Sequence, residues 1–177
     1  NRLVVGGSSA GGHLAAAAAT LDIHDDPADD LSVDIRPNAM VLFNPALVLA
    51  SVAGKLDIAD WTNQIQNVLG MPLDVLLGAP PESLSPYHHI KPGMGPTLMF
   101  HGMADMVVPY VTTALFHEKM KACGNPCTLI GYQEAGHGFS NYRQQDNAPF
   151  IHVVHEMDRF LVSLGYLQDV PENIRYT

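Results

Sequence analysis

The chain has 177 residues, of which 47% are hydrophobic and 15% are charged, so it can bury a core and is neither a disordered nor a fibrous chain. Its formal net charge of -9 argues against a nucleic-acid partner, because phosphates require Lys and Arg. No apolar run reaches the roughly 18 residues of a membrane span, so we expect no membrane partner either.

The first stretch combines an apolar segment, a glycine-dense turn and an alanine run. Leu3-Val4-Val5 predicts a strand, and residues 10–21 predict a helix of high intrinsic propensity. Between them, Gly7-Ser8-Ser9-Ala10-Gly11 fits the G-x-S-x-G pattern, in which a sharp strand-to-helix turn exposes a serine. That strained turn calls for small residues two positions before and after the serine. Ser9 is therefore a candidate nucleophile, and the alternative is a glycine-rich turn without chemistry.

The middle of the chain departs from a regular strand–helix alternation. Residues 22–38 are acidic and broken by prolines, which predicts a solvated surface loop; the aspartate spacing fits no metal loop. Residues 39–43, closed by Asn44-Pro45, predict a strand buried on both faces. Residues 46–93 are interpreted as a helical insertion near the carboxyl edge of the sheet. One helical face is predicted there by Trp61, Ile65, Val68 and Leu69, with the helix ended at Gly70.

The last third of the chain returns to alternating elements. Apolar runs predict strands at 97–102 and 128–132, and helices are predicted at 110–122 and 148–164, ended near Gly124 and Gly165. The whole pattern predicts an α/β fold with a mostly parallel sheet and helices on both faces. In such sheets, ligands bind beyond the carboxyl ends of the strands.

Three predicted strands are followed by a reactive residue, in the order Ser9, Asp105 and His137. A serine hydroxyl needs a base, histidine can accept and return a proton near neutral pH, and a carboxylate orients the imidazole. The order Ser, Asp, His is that of the α/β-hydrolase triad. Ala10 follows the nucleophile, and its N–H would be one oxyanion donor. Gly136 and Gly138 are expected to keep the histidine loop tight.

The remaining histidines and the cysteines receive less specific interpretations. Two cysteines, Cys123 and Cys127, could close a small disulfide across a Gly-Asn-Pro turn or stay as free thiols. The triad needs no metal, so no cofactor is expected. The histidines interpreted as structural or exposed are His13, His24, His88, His89, His101, His117, His152 and His155.

These motifs together resemble α/β-hydrolases of the esterase/lipase type. Residues 6–15 (GGSSAGGHLA), residues 101–109 (HGMADMVVP) and the Gly-His-Gly-Phe of 136–139 are most similar to the carbohydrate-esterase-like group, which includes acetyl xylan and feruloyl esterases. The resemblance covers residues 1–177 as a single partial domain. In this family the nucleophile follows the fifth of eight strands. The resemblance therefore implies strands five to eight, the C-terminal half of the fold, without the His-Gly-Gly-type loop that gives a second oxyanion donor.

The resemblance implies a serine carboxylic-ester hydrolase that acts through an acyl-enzyme on short, acetyl-type esters, with carbohydrate esters as one substrate class. Trp61 and Ser8 are candidates for substrate contact. Two alternatives remain: a prolyl-oligopeptidase-like serine peptidase, which shares the H-G-x-x-D-x-x-V-P segment, and a non-catalytic half-domain. The chain reads as the later part of a longer protein, so Leu3–Val5 is expected to be an exposed edge that pairs with the missing half or another chain. The compartment is open, and is extracellular or periplasmic if the substrate is a polysaccharide.

Overall fold

The computed structural model describes residues 2–22, 26, 28, 30, 32–142 and 147–168. Part of the acidic loop, including Asp25, Pro27 and Asp29, and the predicted structural histidine His24 lie outside these residues. The described strands are β1 (Val4–Ser8), β2 (Ala39–Phe43), β3 (Thr97–Gly102) and β4 (Cys127–Tyr132). The described helices are α1 (Ala10–Thr20), α2 (Ala59–Leu69), α3 (Leu73–Leu77), α4 (Tyr110–Ala122) and α5 (Ala148–Ser163).

The four described strands form one parallel sheet in the order β1-β2-β3-β4. Val4 aligns with Ala39 at the start of the first pair, and Thr97 aligns with Cys127 at the start of the last. All six residues of β3 are buried, as expected for a strand covered on both faces. Among the described strands β1 is an edge strand, and the Leu3 side chain before it is 53% exposed.

Helices cover both faces of the sheet, which confirms the predicted layered α/β fold. Met40 and Leu42 of β2 pack on one face with the buried alanines of α1 and with Phe116 of α4. Val41 of β2 points to the opposite face and packs there with Val153 of α5. The two residue sets alternate along the strand because successive side chains leave opposite faces.

Small residues let α1 lie close to the sheet. Ala16 is fully buried, and Ala15 and Ala19 are nearly so. α4 and α5 end with Gly124 and Gly165 in the left-handed conformation, at φ 77° and 67°. In each case the following residue donates back to the last helical turn, a Schellman-type termination that satisfies free carbonyls.

Between β2 and β3 the chain forms α2, α3 and two 3₁₀ turns, Pro81–Leu84 and Pro86–His89. The predicted helix around Trp61 is therefore present, and Gly70 ends it at φ 72°. None of its residues is fully buried. On the predicted apolar face, Trp61 and Ile65 are half-buried and Val68 is 76% exposed, so the described residues cover this face only in part. Within the described part of the chain, no helix combines the length and the apolar character needed to cross a bilayer.

Candidate active site

Ser9 occupies a strained turn between β1 and α1. Its backbone angles are φ 55° and ψ -119°, a conformation that costs a non-glycine residue about 1–3 kcal/mol and needs support from its surroundings. The Ser9 N–H donates to Phe43 O at 2.9 Å, and the Ser9 carbonyl accepts from His13 N at 3.0 Å. β2 and the first turn of α1 therefore hold Ser9 in a strained strand-to-helix turn of the kind that the G-x-S-x-G pattern predicts.

Close backbone packing explains two glycines at this turn. A Cβ on Gly7 would lie 2.2 Å from Gly11 O, and a Cβ on Gly12 would lie 2.8 Å from Pro45 Cβ. A Cβ on Gly11 would meet no atom within 4 Å. The expected need for a small residue is therefore confirmed at Gly7, two positions before the serine. It is wrong at Gly11, two positions after the serine, because Gly12 makes the close approach instead.

Asp105 lies in the turn after β3, where its carboxylate is fully buried and both of its oxygens accept hydrogen bonds. Oδ1 accepts from the backbone N–H groups of Val107 and Val108 at 2.8 and 2.9 Å. Oδ2 lies 2.7 Å from His137 Nδ1, and the Asp105 side chain has no exposed surface. Two peptide N–H groups therefore orient the carboxylate toward the imidazole.

The loop that carries His137 is bonded directly to the acid loop. Met103 N donates to Tyr132 O at 2.8 Å, and Ala104 N donates to Ala135 O at 3.0 Å. A Cβ on Gly102 would lie 2.3 Å from Ala135 O, so this glycine permits the approach. The His137 side chain is 24% exposed, and because a carboxylate only accepts, its Nδ1 carries the proton and its Nε2 is left basic.

The two glycines beside His137 differ in their roles. Gly138 has φ 72°, a conformation that favours glycine, and a Cβ there would lie 3.0 Å from Asn141 Nδ2. A Cβ on Gly136 would meet no atom within 4 Å. The expected tightening of the loop is therefore explained at Gly138 and not at Gly136.

His101, which sequence reasoning left among the structural histidines, lies against the acid. Its side chain is fully buried, with Nε2 2.9 Å from Val108 O and 3.3 Å from Asp105 Oδ2. Its Nδ1 lies 2.7 Å from Thr113 Oγ1. Because both oxygens near Nε2 accept, Nε2 carries the proton and Nδ1 accepts from the threonine hydroxyl. Burial lowers the pKa of His101 below its usual 6.5, so the ring is neutral near pH 7.

Asn44 is a second residue that sequence reasoning did not assign to the site. It is fully buried at the end of β2 with φ 40°. Its side-chain Oδ1 accepts from Gly102 N at 3.0 Å, and its backbone N–H donates to Phe100 O at 2.8 Å. Asn44 therefore joins the strand beside Ser9 to the strand that leads to Asp105. The Asn-Pro pair that closes the β2 segment was its only sequence signal.

The structure brings Asp105 and His137 into contact and presents Ser9 at the same carboxyl edge of the sheet, without a described hydrogen bond from its hydroxyl to either. Ala10 is the first residue of α1, where helical N–H groups lack intrahelical partners. Ser8 is exposed at the end of β1. Trp61 lies beside the acid loop, with its Nε1 2.7 Å from Val107 O.

The pairing of the two cysteines is open at the sequence level, whereas no metal site is expected there. Cys123 and Cys127 are half-buried free thiols, which decides between the two alternatives, and burial raises the pKa of Cys127 to about 12. Among the described side chains, no group of three or more His, Cys, Asp and Glu residues could hold a metal ion.

Comparison with known proteins places the chain in a family. The BD-FAE family model matches residues 1–120, about two thirds of the chain. The chain belongs to the BD-FAE family. A search of curated proteins finds no match to this BD-FAE chain.

Solved structures similar to the BD-FAE chain include esterase 2 from Thermogutta terrifontis. The form phosphoramylated by tabun is 37% identical with a TM-score of 0.78, over 94% of this chain and 56% of that one. The propionate-bound form is 39% identical with a TM-score of 0.74, over 94% and 57%. The form phosphorylated by paraoxon is 36% identical with a TM-score of 0.75, over 94% and 55%. The BD-FAE chain thus has the α/β-hydrolase esterase fold and spans little more than half the length of these structures.

Proposed function

We propose that this chain carries the catalytic residues of a serine carboxylic-ester hydrolase, with Ser9 as nucleophile, His137 as base and Asp105 as its orienting acid. The observation on which this rests is the 2.7 Å contact between His137 Nδ1 and a fully buried Asp105 carboxylate. The similar esterase phosphorylated by paraoxon supports the assignment, because phosphorylation by such a reagent is the reaction of an activated nucleophile.

In the first half-reaction, Ser9 Oγ attacks the ester carbonyl carbon while His137 Nε2 removes the hydroxyl proton. Asp105 stabilises the imidazolium that forms, without taking its proton. The tetrahedral intermediate then expels the alcohol oxygen, which receives the proton from His137. Water repeats the sequence on the acyl-serine, releasing the acid and restoring Ser9. Catalytic contacts tighten when substrate binds, so a missing bond from the Ser9 hydroxyl in the free protein is compatible with this role.

The oxyanion needs donors that do not move during the reaction. The N–H of Ala10 is one candidate, since it is the first N–H of α1. The second would come from the part of the fold that this chain does not span. Losing one such donor typically lowers kcat by about 10²–10³-fold, so we expect the chain alone to be a slow catalyst.

The same part of the fold would cover the free edge of β1. Among the described strands, β1 pairs only with β2, and Leu3 at its start is 53% exposed. We infer that this edge pairs with the remaining strands of the fold or, in their absence, with another chain along Leu3–Val5.

For the substrate, we propose short acyl esters of the acetyl type, with carbohydrates as the alcohol. A propionate-bound form of the similar esterase supports a small acyl group. The carbohydrate alcohol, with Trp61 and Ser8 as contacts, rests on the resemblance of the motifs to carbohydrate esterases. If the substrate is a polysaccharide, we propose that the protein is located outside the cell or in the periplasm. A peptidase reaction is less well supported, since the similar structures named above are esterases.

The test is the time course of p-nitrophenol release from p-nitrophenyl acetate. We expect a burst stoichiometric with protein that is faster than the turnover that follows it, because the acyl-enzyme accumulates. The burst should vanish in Ser9→Ala and persist in Ser163→Ala, a surface serine at the end of α5. An equal burst in Ser9→Ala would exclude Ser9 as the nucleophile, and faster cleavage of a prolyl amide than of the ester would favour the peptidase.

A further inference from the structure

A hydrogen bond joins the insertion between β2 and β3 to the loop that holds the catalytic acid. The indole Nε1–H of Trp61, on α2, donates to the backbone carbonyl of Val107 at 2.7 Å. α2 contains no fully buried residue, and only Trp61, Thr62 and Ile65 are half-buried, so burial of its side chains holds it in place less firmly than it holds a core helix. The bond to Val107 therefore stands out among the contacts that determine where this helix lies.

The accepting carbonyl belongs to the peptide unit that supports Asp105. The C=O of Val107 and the N–H of Val108 are two ends of the same planar amide. That N–H donates to Asp105 Oδ1 at 2.9 Å, while Asp105 Oδ2 accepts from His137 Nδ1 at 2.7 Å. A continuous series of hydrogen bonds thus runs from the indole, through one peptide unit and the carboxylate, to the imidazole.

Each bond in such a series strengthens the next. A donor on a carbonyl oxygen increases the polarisation of the amide, which makes its N–H a better donor. The carboxylate at the end of this series is buried, where screening by water is weak and the effect is largest. The charge on His137 should therefore be felt at the Trp61 indole, and the indole should stabilise the ionised Asp105.

We propose that Trp61 is a positioning residue, whose indole N–H fixes and polarises the Val107–Val108 peptide and so couples the insertion to the Asp105–His137 pair. The residue predicted from the sequence to contact substrate would then act through the acid loop. The catalytic meaning of this coupling rests on the proposed function, but the coupling itself exists in the resting protein and can be measured without turnover.

The chain contains a single tryptophan, so its indole N–H gives one identifiable signal in a ¹H–¹⁵N correlation spectrum. We expect the pH dependence of this signal to differ between the unmodified protein and His137→Phe, because the variant breaks the series at its far end. The other titratable groups are Asp105 in the series itself, Asp57 and Asp60 close to Trp61 in the sequence, and His101 with Tyr110 on the acid side. These remain in the variant, so the difference between the two spectra reports His137 alone. An indole signal with the same pH response in both proteins would overturn the proposal.

A second measurement tests the support given to the acid loop. In Trp61→Phe, which keeps an aromatic ring and removes the donor, exchange of the Val108 amide proton should accelerate about fivefold, the effect of losing one ordinary hydrogen bond. Gln64→Ala, an exposed change on the same helix, should leave it unchanged. Unaltered Val108 exchange in Trp61→Phe would contradict the proposal. Neither measurement depends on Ser9, so the failure of this inference and the failure of the esterase assignment are distinguishable.

Discussion

Burial fixes the protonation state of His101, and this has a consequence for stability. The folded protein lowers the pKa of His101 below its usual 6.5, mainly through burial, whereas the unfolded chain keeps the ordinary value. Below pH 6.5 the unfolded state therefore binds a proton that the folded state binds less readily. Folding stability attributable to this residue is present above pH 6.5 and is lost as the pH falls below it.

We predict that replacing His101 by Gln reduces the loss of stability between pH 7.5 and pH 5.5. Gln keeps an N–H donor near the position of Nε2 but does not titrate. One group can contribute a slope of at most about 1.4 kcal/mol per pH unit to the free energy of unfolding. Urea denaturation at both pH values measures the change in the free energy of unfolding with pH. A loss of stability that the substitution causes equally at both pH values does not alter this change. His88, whose pKa burial also lowers, is unchanged in the variant and contributes equally to both proteins. An identical slope in the two proteins would contradict the prediction.

At the level of residues, the motifs predicted a contact that the structure shows, while the catalytic roles stay a prediction. Asp105 and His137 were predicted from their motifs, and they make the expected contact. His101 is not predicted as part of the site, because nothing in a sequence distinguishes a histidine beside a carboxylate from one elsewhere in the core. Only the fold shows that its Nε2 lies 3.3 Å from Asp105 Oδ2. At Gly11 the motif predicts a steric need for glycine that the structure does not show. The close contact is made by its neighbour Gly12.

At the scale of elements, hydrophobic periodicity gave the helix and strand positions well, since each described element from α4 onward lies within about a residue of its prediction. The insertion was less predictable. The apolar residues of α2 follow helical spacing, yet Val68 and Leu69 are exposed, because periodicity gives a helix and a face but not the surface that covers it.

The edge strand leads to a prediction about association. The free side of β1 and the exposed Leu3 should let the chain self-associate as its concentration increases, because an uncovered strand offers unpaired N–H and C=O groups. A lysine at the edge opposes such pairing, so Leu3→Lys should move sedimentation velocity profiles toward the monomer.

The matched control is Val33→Lys, an equally conspicuous exposed apolar residue that lies outside the strands. It should sediment as the unmodified chain does. Self-association that is unaffected by Leu3→Lys, or a chain that stays monomeric at high micromolar concentration, would show that this edge does not pair with another copy. Pairing of this edge with the part of the fold that the chain does not span would then be the remaining form of the proposal.

For the whole molecule, alternation of strands and helices was enough to predict a parallel sheet covered on both faces. The sheet's order and the two core clusters are consistent with it. Two features could not be derived from the residues. One is the contact of Trp61 with the acid loop, since it joins residues 46 positions apart. The other is the covering of the β1 edge, which depends on a part of the fold that this chain does not span.

The central claim is that Ser9 is a nucleophile activated by the Asp105–His137 pair, and covalent labelling tests it most directly. Incubation with paraoxon should transfer one diethylphosphoryl group to Ser9 Oγ, with release of p-nitrophenol. Intact-mass and peptide mass spectrometry would measure the number and position of labels. We expect a single label on Ser9, none in Ser9→Ala, and slower labelling by about 10²-fold or more in His137→Phe, because the hydroxyl loses its base. Labelling that is unchanged in Ser9→Ala, or equally fast without His137, would contradict the claim.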